Sequence, residues 1–324
     1  MYQYTEHDLS IFKAVAQSSV EELMLGIKRF LKQPGRNNRI IATKDYLLAK
    51  GNIPVMVIAH LDTVFPKPPS KIYYDAKEKV LWSPTGLGAD DRAGVYGILH
   101  LLTHGFRPHI CLTTDEEIGS VGARRMIYDF PKCPFYVKYI IELDRRGLND
   151  CVFYDCDNPN FEKYVEKFGF KTAYGTFSDI SEICPAWKIA GVNLSVGYFN
   201  EHSAQEVLYF DILHQTLDKV GTMLKDIANV SKPFRYIPAY YPYYLMSKHG
   251  GLVYCPHCHK PVFEDEMIYV HKEDGTIDQF CWMCIPPEVD WCINCSDAYY
   301  KVDDEILCPK CKQDLINEVT HGDI

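Results

Sequence analysis

The chain has 324 residues, 47% hydrophobic and 24% charged, with 34 Lys+Arg against 43 Asp+Glu and 13 Cys. A net charge of −9 argues against a nucleic-acid binder, because phosphate neutralisation needs a basic surface. The composition is that of a folded protein, with no apolar run long enough to span a bilayer.

Taken in order, residues 8–16 and 20–31 read as helices, 53–59 as a buried strand, 93–102 as a helix and 109–113 as a strand. Residues 121–130 read as a helix, 137–143 as a strand, 161–168 as a helix, 192–196 as a strand and 203–227 as one long amphipathic helix. This alternation predicts a three-layer α/β/α domain on a mostly parallel mixed sheet, with active-site residues at the carboxyl ends of the strands. A Pro/Tyr-rich stretch, Lys232 to Tyr244, then leads to Gly250-Gly251. The predicted domains are therefore 1–231, a linker strap at 232–250, and 251–324. Charge and cysteine divide at the same place. Residues 251–324 carry 5 Lys against 15 Asp+Glu and hold eight of the 13 Cys. The N-terminus lacks the basic and apolar parts of a secretory signal, so a cytoplasmic location is expected, where thiols bind metals more readily than they form disulfides.

Polar residues recur where apolar runs end. His60 and Asp62, two apart, would face one side of a strand, which lets a carboxylate orient a metal-binding imidazole; two solvated residues of a turn would look the same. Asp90 and Asp91 follow a Gly-rich approach and precede a helix, where an N-cap alone would account for Asp91. Asp115, Glu116 and Glu117 crowd one strand end, as helix-start acids or as carboxylates facing a cation. Glu142 and Asp144 end another strand, and His202 follows a further one. Each block alone is a modest signal. Together they supply two imidazoles and several carboxylates at separate strand ends, the donor set of a two-metal hydrolase, suited to Zn²⁺ with Mn²⁺ or Co²⁺ as alternatives.

The blocks His60-Leu61-Asp62, Gly88-Ala89-Asp90-Asp91-Arg92-Ala93-Gly94, Asp115-Glu116-Glu117-Ile118-Gly119, Glu142-Leu143-Asp144 and Gly197-Tyr198-Phe199-Asn200-Glu201-His202-Ser203 resemble, in order, the co-catalytic zinc exopeptidase superfamily of leucyl-type aminopeptidases, peptidase T and aminoacylases. The resemblance implies that His60 and Asp144 complete one zinc, Glu117 and His202 the other, and that Asp90 bridges them. It further implies that Asp62 orients its neighbourhood, that Glu116 is the general base for a metal-bridging water, and that the Asp90–Asp91 peptide is cis. Only 57 residues separate Asp144 from His202, too few for an inserted lid domain, so the lidless aminopeptidase-like branch fits better. Arg92 stands where Lys is commoner and is expected to be structural. Asp179 is expected as a helix N-cap, or else facing the site, and Tyr198 as a packed side chain, or else a hydrogen-bond donor to the oxyanion. Arg145 and Arg146 are expected in solvent, or at an anionic substrate end.

The eight late cysteines form four C-x-x-C pairs, Cys255/Cys258, Cys281/Cys284, Cys292/Cys295 and Cys308/Cys311, with gaps of 22, 7 and 12 residues. They suffice for two structural zinc sites in a double zinc-ribbon-like module, with sequential pairing favoured over a cross-brace. His257 and His259 are spare donors. A module this small needs metal for stability, and its acidity points away from nucleic acid and toward a protein partner or an attachment role. Exposure of Trp282 and Trp291 would favour docking. The expected protein is thus a cytoplasmic di-zinc aminopeptidase acting on peptides. A deacylase or amidase on a non-peptide amide is the alternative within hydrolases, and a zinc-ribbon adaptor with a vestigial hydrolase domain is the alternative outside them.

Overall fold

A computed structural model describes residues 4–33, 39–239, 252–258, 260–264, 267–272, 274, 276–292, 295, 297–301 and 307–313. The chain divides into two compact units, Met1–Ala239 and Tyr240–Ile324.

The first unit opens with α1 (Glu6–Ala16) and α2 (Val20–Leu31), each started by a capping box, Thr5 with Asp8 and Ser19 with Glu22. There follow β1 (Ile40–Ala42), β2 (Tyr46–Ala49), β3 (Ile53–His60), β4 (Tyr73–Asp75), β5 (Val80–Trp82), α3 (Ala89–Thr103), β6 (Pro108–Thr113) and α4 (Val121–Asp129). Next come β7 (Tyr139–Arg145), β8 (Asp150–Val152), α5 (Pro159–Glu166), β9 (Lys171–Thr172), α6 (Asp179–Trp187), β10 (Gly191–Ser195), β11 (Tyr198–Phe199), β12 (Val207–Tyr209) and α7 (Phe210–Asp226).

Eight strands form one sheet in the order β1-β2-β6-β3-β7-β10-β8-β9. Its centre, β6-β3-β7-β10, is parallel, while β1, β2 and β8 join antiparallel. Side chains of β3 alternate between two cores. Val55, Val57 and Ala59 pack with Phe12, Leu31 and Leu213 from α1, α2 and α7. Met56 and Ile58 pack with Met126 and Ile183 from α4 and α6. The sheet is therefore buried between two helical layers, as strands without a polar face require.

The expected helix over 203–227 is a correction. Residues 207–209 form β12, which pairs with β5 in a smaller sheet ordered β11-β12-β5-β4, and the helix begins only at Phe210. Here strand pairing overrides a helical pattern that extends back through Leu208, which is fully buried.

Beneath the α1 face lies one polar cluster: Asp8, His100 and His214, all buried. Burial, reinforced by the neighbouring imidazoles, lowers His100 to about 4 and His214 to about 3, so both are neutral at pH 7.

The start of the strap packs on this first unit. Phe234 N–H donates to Lys138 O at 2.8 Å, Ala190 N–H to Phe234 O at 3.0 Å, and the Phe234 ring lies 4.9 Å from that of Phe161. Residues 240–251, with four of the five strap tyrosines, lie outside the described residues.

The second unit holds a hairpin, β13 (Leu252–Tyr254) with β14 (Pro261–Phe263). It also holds a four-stranded sheet ordered β16-β15-β18-β17, from β15 (Ile268–His271), β16 (Ile277–Phe280), β17 (Val289–Trp291) and β18 (Ala298–Tyr300). The thiols gather sequentially, Cys255, Cys258, Cys281 and Cys284 in one group and Cys292, Cys295, Cys308 and Cys311 in the other, so the cross-brace is not formed. His257 stacks on Phe280 at 4.4 Å. His259 and the Trp282 side chain lie outside the described residues, and Trp291 is exposed.

Candidate metal centre

The parallel register of β6, β3 and β7 sets Thr113 beside His60 and brings Asp144 to the same carboxyl edge of the sheet. His60 closes β3 with its ring 2% exposed; its Nε2 lies 3.2 Å from Asp90 Oδ1 and 3.5 Å from Asp144 Oδ1. His202 reaches the same place from the turn after β11, where its φ is +62°, and its Nε2 lies 3.2 Å from Asp90 Oδ2 and 3.0 Å from Glu117 Oε2. Asp90 thus stands between two imidazoles with one oxygen toward each. Two donor sets result, His60/Asp90/Asp144 and Asp90/Glu117/His202.

The donors fit divalent ions. Ligand atoms sharing a tetrahedral ion with bonds of about 2.0–2.1 Å stand roughly 3.4 Å apart, and the separations here are 3.0 to 3.5 Å. The second carboxylate oxygen of Glu117, Oε1, is buried without a hydrogen bond, which a cation at this place would offset.

The surrounding chain holds these groups in place. Asp62 stands 3.4 Å from His60 Nδ1 and accepts the Glu116 and Glu117 N–H groups at 3.2 Å each. Burial works against its charge, yet these partners hold Asp62 below the usual carboxylate range. Asp91 Oδ1 accepts Gly94 N–H, capping the regular part of α3, while Oδ2 accepts His60 N–H at 3.1 Å. The Asp90–Asp91 peptide is cis. Gly86 and Gly88, at φ +88° and +67°, let the chain turn into Asp90; a Cβ on Gly86 would run into the Phe65 ring.

Glu116 belongs to neither donor set. Burial pushes its carboxyl up to about 9; the charges of Asp144, Asp179 and Asp90 add to the rise, and His60 opposes it.

Other expected residues take structural places. Arg92 is buried and donates to Val15 O and Ser18 O at 3.2 and 2.9 Å. Tyr198 is packed, with its hydroxyl donating to Asp144 Oδ1 at 3.2 Å. Asp179 is the first residue of α6 and not its cap, which is Ser178; its carboxylate turns inward and accepts from Thr113 Oγ1. Arg145 donates to Tyr174 O, and Arg146 is paired with Glu201 at 2.8 Å.

Three supporting residues escaped the sequence reading. Glu206 accepts the N–H groups of Gly88 and Asp90 at 2.5 and 3.0 Å, fixing the loop that delivers Asp90. Ser178 donates to Glu142 and Asp144, and Asn193 Oδ1 accepts Asp144 N–H at 2.9 Å. Nothing in the local sequence of a lone Glu, Ser or Asn marks such a role.

No family profile and no curated protein matches the sequence. Solved structures do match. An aminopeptidase PepT from Bacillus cereus superposes with a TM-score of 0.53 at 14% identity, over 69% of this chain and 98% of that one. A tripeptidase from Staphylococcus aureus gives 0.54 at 14%, over 69% and 98%. The aminopeptidase APDkam598 from Desulfurococcus kamchatkensis gives 0.54 at 12%, over 70% and 98%. The chain shares the fold of these peptidases. Among the described residues no helix is long and apolar enough to cross a membrane.

Proposed function

We propose that the first unit is a metal-dependent hydrolase that removes N-terminal residues from peptides. The observation carrying this reading is Asp90, with its two carboxylate oxygens each 3.2 Å from the Nε2 of a different imidazole, and each imidazole backed by a further carboxylate. His60, Asp90 and Asp144 would hold one divalent ion, and Asp90, Glu117 and His202 the other, with Zn²⁺ the best match to the donors and Mn²⁺ or Co²⁺ able to substitute. Two such ions would acidify an attacking water and polarise the scissile carbonyl.

Glu116 takes the proton from that water and returns it to the leaving amine. Its raised pKa equips it to hold a proton between these events, and two nearby cations would pull that pKa down toward neutrality. Asp62 positions Glu116 and Glu117 through their N–H groups and His60 through Nδ1, so it acts on the alignment of the site. The structural neighbours, two aminopeptidases and a tripeptidase, support the same reaction class.

In the second unit the two four-Cys groups would each hold a structural zinc. Cys258 and Cys281 Sγ stand 3.7 Å apart, and Cys295 and Cys308 Sγ 3.6 Å apart. Sulfurs sharing a tetrahedral Zn²⁺ at about 2.3 Å would be roughly 3.8 Å apart. The domain limits proposed are 1–231, 232–250 and 251–324, with the last serving attachment or a protein partner.

A pool of peptides with free and with acylated N-termini tests the reading, beside Glu116→Ala and with bound metal measured. Release of N-terminal residues from free amines alone is expected. Turnover of acylated substrates alone would replace the aminopeptidase by a deacylase, and no turnover with any divalent metal would remove the hydrolase altogether.

A further inference from the structure

The helical layer over one face of the sheet brings together three ligating side chains that the proposed chemistry does not use. Asp8 comes from α1, His100 from α3 and His214 from α7, and they are 5%, 8% and 2% exposed in an otherwise apolar core. One ligand atom from each lies within 4.8 Å of the other two. The two carboxylate oxygens of Asp8 have separate duties. Oδ2 accepts from the Thr5 N–H and hydroxyl at 2.8 and 2.7 Å, which caps α1. Oδ1 turns inward, 3.3 Å from the Tyr96 hydroxyl and 3.7 Å from His100 Nδ1. The Tyr96 hydroxyl also lies 3.0 Å from His214 Nε2.

One of these spacings, between two candidate ligands, is long for a direct hydrogen bond. An N–H···O bond closes at about 2.9–3.0 Å, whereas His100 Nδ1 stands 3.7 Å from Asp8 Oδ1. That separation approaches the roughly 3.4 Å between ligand atoms on a tetrahedral ion with bonds of about 2.0–2.1 Å. With all three ligand atoms within 4.8 Å of one another, small side-chain adjustments would close the set around one ion. His104 is not part of it: its ring stacks on His100 at 4.0 Å and its Nδ1 meets His100 O at 2.8 Å. The cluster has routes to solvent. His100 and Asp8 line a groove of about 360 Å³, and His100 also lines a second one of about 340 Å³.

We propose that Asp8, His100 and His214 form a further divalent-metal site in the first unit that pins α1 to α3 and α7. Two imidazoles and one carboxylate select a borderline first-row ion, Zn²⁺, Ni²⁺ or Co²⁺, over Mg²⁺ or Ca²⁺. The fourth position falls to water from the groove. The role is structural: Arg92 already ties the end of α1 to α3 through Val15 O, and a shared ion would fix the start of α1 to two helices of the core. An ion bound only by the folded protein raises its stability by mass action. His100 lies nine residues along α3 from Asp91, roughly 14 Å at about 1.5 Å per residue, so this ion is distinct from those at Asp90.

Zinc content of the full chain is the test, measured by mass spectrometry after equilibrium dialysis against micromolar Zn²⁺. The double variant His100→Gln/His214→Gln is expected to hold one equivalent less than wild type, and His104→Gln the same as wild type. The Zn²⁺-dependent rise in Tm is expected to be smaller in the double variant. Equal zinc content in wild type and a folded double variant would overturn the proposal. If the double variant does not fold, anomalous diffraction at the zinc edge from Zn²⁺-loaded wild-type crystals decides instead. A peak between Asp8, His100 and His214 supports the site, and no peak there refutes it. Metal is counted and not turnover, so the outcome is independent of whether the first unit is a hydrolase.

Discussion

Replacing Glu116 by Gln separates the chemistry from the metal centre. The side chain of Glu116 is in neither donor set, while Glu117 beside it is. The Glu116 backbone N–H that holds Asp62 is untouched by the change. Metal content should therefore stay at the wild-type level. Loss of a general base costs about 10²–10⁴ in rate, or roughly 2.7–5.4 kcal/mol of barrier at about 1.36 kcal/mol per tenfold. The expected effect falls on kcat with KM little changed, read as release of N-terminal residues from free-amine peptides by the zinc-loaded protein. The acid limb of the wild-type kcat/KM profile, which reports ionisation of the base, should vanish from the residual activity of E116Q. Stability gives a second readout in metal-free protein. The Glu116 pKa is raised above its ordinary 4.5 to about 9, so its neutral form favours the fold at low pH, and that contribution fades as pH rises through this window. Gln cannot ionise and keeps the contribution, so metal-free E116Q should melt above metal-free wild type near pH 9. An E116Q enzyme within tenfold of wild type, with full metal, would refute the role of Glu116. Loss of metal in E116Q would refute the assignment of donors.

The remaining predictions concern the framework. Asp62→Asn should weaken metal binding or activity by about 10–100-fold, the usual cost of losing a partner that orients a ligating imidazole, and an unchanged metal titration with unchanged rate would dismiss its role. Metal uptake should release protons at pH 7. Although burial opposes it, the Asp144, Asp62 and Asp90 partners raise His60 well above 6.5, and hydrogen bonds donated to Asp90 and Glu117 raise His202 to about 11. Metal must displace those protons, so affinity rises with pH, and calorimetry in buffers of different ionisation enthalpy would contradict this if the heats were equal. Arg92→Met leaves the carbonyls of Val15 and Ser18 without their buried donor and should cost about 1–3 kcal/mol in denaturant unfolding, with metal content intact. Cys258→Ser should lower bound zinc by one equivalent and loosen the second unit in hydrogen exchange, while peptide hydrolysis by the first unit persists.

How much of this was legible depends on how far each signal reaches along the chain. The strand ends were readable because β3, β6 and β7 are buried on both faces, so their apolar runs stop abruptly at His60, Thr113 and Asp144. Parallel pairing then does the rest, since strands in register present their ends at one edge. The start of α7 was not readable, because residues 207–209 satisfy both a helical and a strand pattern and only pairing with β5 selects between them. Glu206 was hidden for the same reason: its partners, the N–H groups of Gly88 and Asp90, are more than 100 residues away and become neighbours only through that pairing.

The helical layer shows a stricter limit. In α3 and α7 a histidine on the inward face occupies a position any buried residue could fill, and the helical period says nothing about its partners. His100 and His214 acquire chemical meaning only when two helices dock side by side and α1 adds a carboxylate. At the carboxyl edge of the strands, the sheet imposes convergence through strand register, which alternation and length expose in the sequence. In the helical layer, convergence depends on crossing geometry, which ridge-into-groove packing sets and no local pattern encodes. Donor sets built on strand ends are for this reason the ones a sequence discloses, and a set spread over three helices, such as Asp8, His100 and His214, emerges only with the tertiary structure.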